Sequence, residues 1–189
     1  MGRWEPGARE RLERAALELY VERGFEQTTV AEITNRAGLT ERTFFRHFAD
    51  KREVLFSGQT ELLDACVNAI TGAPGTAAPR DAMAEALHAV SARLQDRREH
   101  ARQRRTVIDA NPGLKERELL KLASLASAMA DALRRRGVAE PTASLVGEAG
   151  VAVFKVAFER WMGESGAPGR TLADVIQECL DDLKAATAG

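Results

Sequence analysis

Two cysteines, Cys66 and Cys179, are the only thiols in a chain of 189 residues. They lie far apart and outside any C-x-x-C or Cys/His cluster. That argues against a structural zinc site and a disulfide framework, and it suits a reducing compartment. Aromatic side chains are few (7 Phe, 2 Trp, 1 Tyr) and β-branched residues are scarce, so a sheet-rich fold is disfavoured. No apolar run approaches the ~20 residues of a membrane span. The opening stretch MGRWEPGARERLERAA lacks the apolar segment of a secretory signal. An excess charge of either sign is also missing, with 27 Lys+Arg against 28 Asp+Glu. What the chain has in quantity is alanine, leucine, arginine and glutamate, with 44% hydrophobic content. These observations lead us to expect an all-α, cytoplasmic protein with one good core or two small ones and no membrane contact.

The local order of charge says more than the sum. Between Arg36 and Arg52 stand five cations (Arg36, Arg42, Arg46, Lys51, Arg52) and His47, against only Glu41 and Asp50. A small basic arc of this kind can contact phosphates even on a near-neutral chain.

Periodicity predicts about nine helices. The first runs from about Pro6 to Arg23, with Leu12, Ala15, Ala16, Leu19 and Tyr20 as one stripe. Thr28 or Thr29 caps a second, with Glu32 placed to complete a capping box after Thr29, and Gly38 ends it. Thr40 caps a short third helix, Glu41 to His47, which Phe44, Phe45 and Phe48 anchor. Asp50 caps a fourth, expected to run unbroken through Leu55, Leu62 and Leu63 towards Ile70. GAPGTAAP (72–79) is the clearest linker. Further helices are expected over 80–110 (broken near Arg97–His100), 114–136, 142–163 and 171–186, with a loop at 163–169.

A longer amphipathic helix followed by two short ones joined at a glycine makes a helix-turn-helix, in which the second helix braces a third that can enter a major groove. Thr40, Glu41, Arg42 and Thr43 are the polar residues of that third helix's outer face. An ordinary three-helix cluster would show the same spacing. His47 and Arg46 complete the candidate DNA-facing set.

Three further stretches carry a family resemblance together with this one. Gly24-Phe25-Glu26-Gln27-Thr28-Thr29-Val30-Ala31-Glu32-Ile33, Ala37-Gly38-Leu39-Thr40, Thr43-Phe44-Phe45-Arg46-His47-Phe48 and Lys51-Arg52-Glu53-Val54-Leu55 resemble the DNA-binding domain of TetR-family transcriptional regulators over about residues 9–56. The resemblance implies an all-helical homodimer. Residues 1–56 would bind a palindromic operator, and residues 57–189 would form a helical-bundle domain for effector binding and dimerisation. It also implies operator contacts from Thr29, Thr40, Arg42, Thr43, Phe45, His47 and Lys51, the last to phosphate. Two positions depart from the family pattern. Phe45 replaces a tyrosine whose hydroxyl contacts phosphate, so that contact is absent. Arg42 replaces a small residue, and an arginine there can read guanine bidentately or bind a neighbouring phosphate. Residues 80–163 more loosely resemble the C-terminal domain of mycofactocin-type regulators, through Arg104-Arg105 before Val107-Ile108, Asn111-Pro112 and Glu116-Arg117-Glu118. Some regulators of that type sense acyl-CoA thioesters.

In the C-terminal part, Phe154, Phe158 and Trp161 share a helix face, and core packing or the wall of a ligand pocket would each account for it. The candidate pocket comprises Leu63, Val67, Leu87, Val90, Leu94, Leu122, Met129, Phe154, Phe158 and Trp161. The candidate dimer surface comprises Val153 and Val156 with Leu172, Val175, Ile176, Cys179 and Leu183. The run Gln95–Arg105, with five arginines and two acids, is a solvated face or a basic mouth for an anionic ligand. No H-E-x-x-H, P-loop or G-x-S-x-G occurs, so no catalytic residue, metal or cofactor is expected. The expected function is a ligand-responsive repressor, released from an inverted-repeat operator by a small apolar effector. A helical interaction module or an activator using the same helix-turn-helix is the alternative.

Overall fold

The computed structural model describes residues 7–163 and 170–187. Among these, nine α-helices are formed: α1 Ala8–Arg23, α2 Val30–Ala37, α3 Glu41–His47, α4 Gln59–Gly72, α5 Pro79–Leu94, α6 Arg98–Asp109, α7 Pro112–Arg135, α8 Thr142–Gly163 and α9 Leu172–Thr187. Short 3₁₀ turns occupy Glu53–Phe56 and Gln95–Arg97. The all-α expectation holds. Pro6, the expected start of the first helix, and residues 164–169 of the expected loop lie outside the described residues.

The chain divides into two compact units, one of residues 1–58 with 100–118, the other of 59–99 with 119–189. In the first, the predicted stripe of α1 is buried together with Leu17. It joins Phe25, Ile33, Phe44, Phe48, Val54, Leu55 and Phe56 in one core. Burying each such large apolar side chain stabilises by roughly 1.5–3 kcal/mol before chain entropy is counted. Val107, Ile108 and Leu114, far along the chain, complete that core. No periodicity within residues 1–56 reveals them.

The fourth helix departs from expectation. Asp50 does cap, with Oδ1 accepting from the backbone N–H groups of Arg52 (2.8 Å) and Glu53 (3.0 Å). That cap opens only the 3₁₀ turn, and α4 begins at Gln59. Gly58 sits at φ +82°, a left-handed conformation that halts a helix and that other residues adopt at a cost. The apolar pattern runs through this break because Val54, Leu55 and Phe56 are buried in their own right.

In the second unit, α5 is the central element, packed against α4, α8 and α9. Helices α7 and α8 approach so closely that a Cβ on Gly147 would lie 2.6 Å from the Ala126 carbonyl oxygen. Met83 and Met129 fill the space over Gly150. The inner stripe of α9, Leu172, Val175, Ile176, Cys179 and Leu180, is wholly buried.

Candidate nucleic-acid interface

The site is assembled from caps outward. Thr29 is extended and begins α2: its hydroxyl oxygen accepts from the Glu32 N–H (3.2 Å), while the Glu32 carboxylate accepts from the Thr29 N–H and hydroxyl (both 2.9 Å). The predicted capping box is therefore formed, with Thr29 and not Thr28 as the cap. The Thr29 backbone and hydroxyl donors, with Arg23, hold the Glu32 carboxyl below its ordinary range. Gly38, at φ +65°, turns the chain, and a Cβ there would crowd the Arg11 guanidinium at 3.1 Å. Arg11 donates to the Ala37 carbonyl and so fixes α1 to the end of α2. Thr40 then caps α3, accepting from the Thr43 N–H at 3.2 Å, with the two hydroxyls 3.0 Å apart.

Phe44 and Phe48 anchor α3 from beneath, with exposures of 0% and 5%. Phe45 does not: it is 55% exposed. The sequence leads one to expect three anchoring phenylalanines, but seven helical residues offer too narrow an inner face for the third. Arg42, Phe45, Arg46 and His47 all point outward, and Glu41 is exposed in the first turn, where its charge suits the helix dipole. The side chains of Arg42, Arg46 and His47 make no ion pair or hydrogen bond to the described residues, which leaves them available to an external partner.

The rest of the basic arc is engaged within the chain. Arg36 pairs with Glu22 on α1 through both terminal nitrogens (3.0 and 2.8 Å). Arg52 pairs with Asp50 (2.9 Å). The Lys51 ammonium donates to the carbonyls of Phe25 (2.9 Å), Glu26 (3.2 Å) and Thr28 (2.9 Å), and lies 4.5 Å from the Phe25 ring centre. The buried Tyr20 hydroxyl donates to the Lys51 carbonyl at 2.6 Å, and burial, with Asp50 nearby, raises its pKa. An ammonium whose three protons are already placed on carbonyls must give one up to meet a phosphate. Lys51 therefore serves first to hold the turn that carries Thr29.

Sequence reasoning missed a second feature of this unit. Arg104 on α6 donates to the Leu55 carbonyl and to the Glu118 carboxylate (3.0 Å), with its guanidinium 5.1 Å over the Phe56 ring. Burial pulls its pKa down, against the pull of Glu118. Arg117 forms a forked pair with Glu53. These partners are 14 to 64 positions apart, beyond the reach of any helical spacing rule. Arg104 is thus engaged within this unit and largely withdrawn from water, and serves as part of neither a solvated face nor a basic mouth. A cleft of about 390 Å³ opens beside Lys51, bounded by Phe25, Asp50, Arg52, Asn111 and Leu114.

In the second unit the ten candidate pocket residues fall into two groups. Leu87, Val90, Met129 and Trp161 are buried in the packed core. Leu63, Val67, Leu94, Leu122, Phe154 and Phe158 are half-buried. Phe154, Phe158 and Trp161 form a continuous aromatic row, with ring centres 5.4 and 5.7 Å apart. Arg98 lies 5.5 Å over the Trp161 ring. The candidate dimer surface needs correction. Val153, Leu172, Val175, Ile176 and Cys179 are already covered within the single chain, because the α9 stripe turns onto α5 and α8. Only Val156 (52%) and Leu183 (36%) are left exposed, and Leu145 (65%) joins Val156 on the outer side of α8.

Among the described residues no helix is long and apolar enough to cross a membrane. A short, outward-facing, cationic helix braced against two others is the arrangement of a helix-turn-helix unit. Comparison with known proteins makes this specific. Residues 13–57 match the model of bacterial regulatory proteins of the tetR family, and residues 77–188 match that of the MftR C-terminal domain. The chain belongs to the TetR family of transcriptional regulators. It is 40% identical over 88 residues to the HTH-type transcriptional regulator TcmR of Streptomyces glaucescens, a match spanning 47% of this chain and 39% of that protein. FadR of Thermus thermophilus, a TetR-family repressor solved in complex with lauroyl-CoA, shares the fold: TM-score 0.58, 22% identity, 96% of this chain and 95% of that one. The fatty acid degradation regulator FadR of Bacillus halodurans superposes with TM-score 0.63 at 16% identity, over 98% and 99% of the two chains. At these identities the structural likenesses establish the fold alone.

Proposed function

We propose that this chain is a homodimeric repressor acting in the cytoplasm, bound to an inverted-repeat operator through α3 and released by a small apolar effector of the acyl-thioester class. Residues 1–56 contact DNA, and residues 57–189 serve effector binding and self-association. The observation that carries the reading is the outward set Arg42, Phe45, Arg46 and His47 on a helix braced by two others, while the neighbouring cations are engaged within the chain. Thr43, half-buried, stands beside them. Thr29, Thr40 and Lys51 support this set chiefly by placing α2 and α3, and Glu41 lies at its edge.

A palindromic operator needs two copies of α3 about 34–36 Å apart, or a multiple of that distance. The outer side of α8, with Leu145 and Val156, and Leu183 of α9 supply exposed apolar surface for a second copy. The effector class is supported by the C-terminal match, by the lauroyl-CoA bound to the Thermus thermophilus protein of the same fold, and by the half-buried aromatic pair Phe154 and Phe158.

The test is a fluorescence anisotropy titration of a duplex selected by binding from a random library, at several salt concentrations, with and without lauroyl-CoA. Specific binding with a steep salt dependence is expected, and effector and operator should weaken each other by the same factor, about 5–150-fold. A chain that selects no duplex is not a DNA-binding regulator. Equal effector affinities with and without operator would remove the acyl thioester from the proposal and leave the DNA-binding part standing.

A further inference from the structure

The Phe45 ring is the feature of α3 that charge and capping leave unexplained. It is 55% exposed, whereas Phe44 beside it is fully buried. It stands on the outward face one turn after Arg42 and next to Arg46, two guanidinium groups without partners among the described residues. Single exposed apolar residues are ordinary on protein surfaces. This one is held in place: its ring meets the buried Phe44 ring edge-on, with centres 5.4 Å apart and planes at 82°. Because Phe44 is fixed in the core, this contact favours the outward pose of the Phe45 ring.

A rigid apolar ring carried towards the major groove meets a surface almost wholly of hydrogen-bonding groups. The most prominent apolar group that the base edges display there is the C5-methyl of thymine, where cytosine offers only a C5–H. A phenyl ring neither donates nor accepts, so every base edge without that methyl would be desolvated against it without compensation. We propose that Phe45 is a specificity-determining residue that reads a thymine C5-methyl in each operator half-site, beside the polar contacts of Arg42 and Arg46. This rests on the DNA-binding reading above and adds to it the base that α3 selects by apolar contact.

The experiment removes one methyl at a time. In a duplex selected by binding to the wild-type full chain, each symmetric pair of thymines is replaced by deoxyuridine, and Kd is measured for the wild type, Phe45→Ala and Phe45→Leu. Folding of the variants is checked by circular dichroism, where loss of the edge contact with Phe44 predicts only a small drop in melting temperature for an exposed ring. At one symmetric position, methyl removal should weaken wild-type binding about fourfold per half-site, the worth of one buried methyl group. At that position Phe45→Ala should be indifferent to the methyl, while Phe45→Leu keeps part of the effect. If the wild type ignores the methyl at every thymine, or if the methyl effect persists undiminished in Phe45→Ala, Phe45 packs elsewhere, on the sugars or on nothing, and the proposal is overturned. If no duplex can be selected at all, the DNA-binding reading falls and this one with it.

Discussion

The Lys51 ammonium donates to the Phe25 carbonyl at 2.9 Å, across 26 positions of chain, and covers the Phe25 ring in the same pose. One side chain thereby ties the turn after α3 to the turn before α2. Removing it leaves the carbonyls of Phe25, Glu26 and Thr28 without their shared donor. We expect Lys51→Met to lower stability by about 1–3 kcal/mol, the cost of unsatisfied polar groups, with a near-normal slope of operator affinity against salt. Arg46→Ala should do the reverse: unchanged melting and a slope lowered by about one unit. Chemical denaturation and anisotropy on the same variants separate the two roles. A Lys51→Met slope lowered by a full unit would return Lys51 to the phosphate contacts.

Arg104 and Glu118 form a pair largely withdrawn from water, with side-chain exposures of 21% and 20%. Truncating one partner strands the other, so Arg104→Ala should cost about 3 kcal/mol. The double variant with Glu118→Ala should cost less than the sum of the single changes, and a double-mutant cycle by urea denaturation measures the difference. Strict additivity would mean that the Leu55 carbonyl and Phe56 contacts, not Glu118, hold the guanidinium.

Two valines on the last helices differ sharply in exposure. Val156 is exposed and Val175 is fully buried. Val156→Glu should leave a folded chain that sediments at half the wild-type mass, since a charge placed in a dimer contact is desolvated without a partner. Val175→Glu should instead abolish cooperative unfolding, because the same charge enters the core of one protomer. A Val156→Glu protein that remains dimeric would place self-association elsewhere.

Cys66 is buried, and its thiol is pushed up to about 11 by that burial, with Arg93 acting weakly the other way. The thiolate is the reactive form, so the native chain should label at Cys66 far more slowly with iodoacetamide at about pH 8 than the urea-unfolded chain. Peptide mass mapping after timed labelling reads this directly. Rapid native labelling would show that the contacts between α4 and α5 open readily.

The one-dimensional pattern of this chain determines most of the helices and the whole of the helix-turn-helix frame. Caps at Thr29, Thr40 and Asp50, the stop at Gly38 and the stripes of α1 and α9 are properties of three or four neighbouring residues, and hydrogen bonding over that distance is settled locally. The assignment of partners is not legible in this way. A stripe says that α9 must be covered, and only the packed structure shows α5 and α8 of the same chain doing so, instead of a second copy. A run of cations says that charge is present, while Glu22, Asp50 and three backbone carbonyls decide that Arg36, Arg52 and Lys51 are already engaged and Arg42 and Arg46 are not. Arg104 reads as surface from its neighbours and lies inside because Leu55, Phe56 and Glu118 reach it from distant parts of the chain. Local sequence specifies periodicity and caps, whereas contacts between residues tens of positions apart depend on how helices cross, and no short stretch of sequence encodes that.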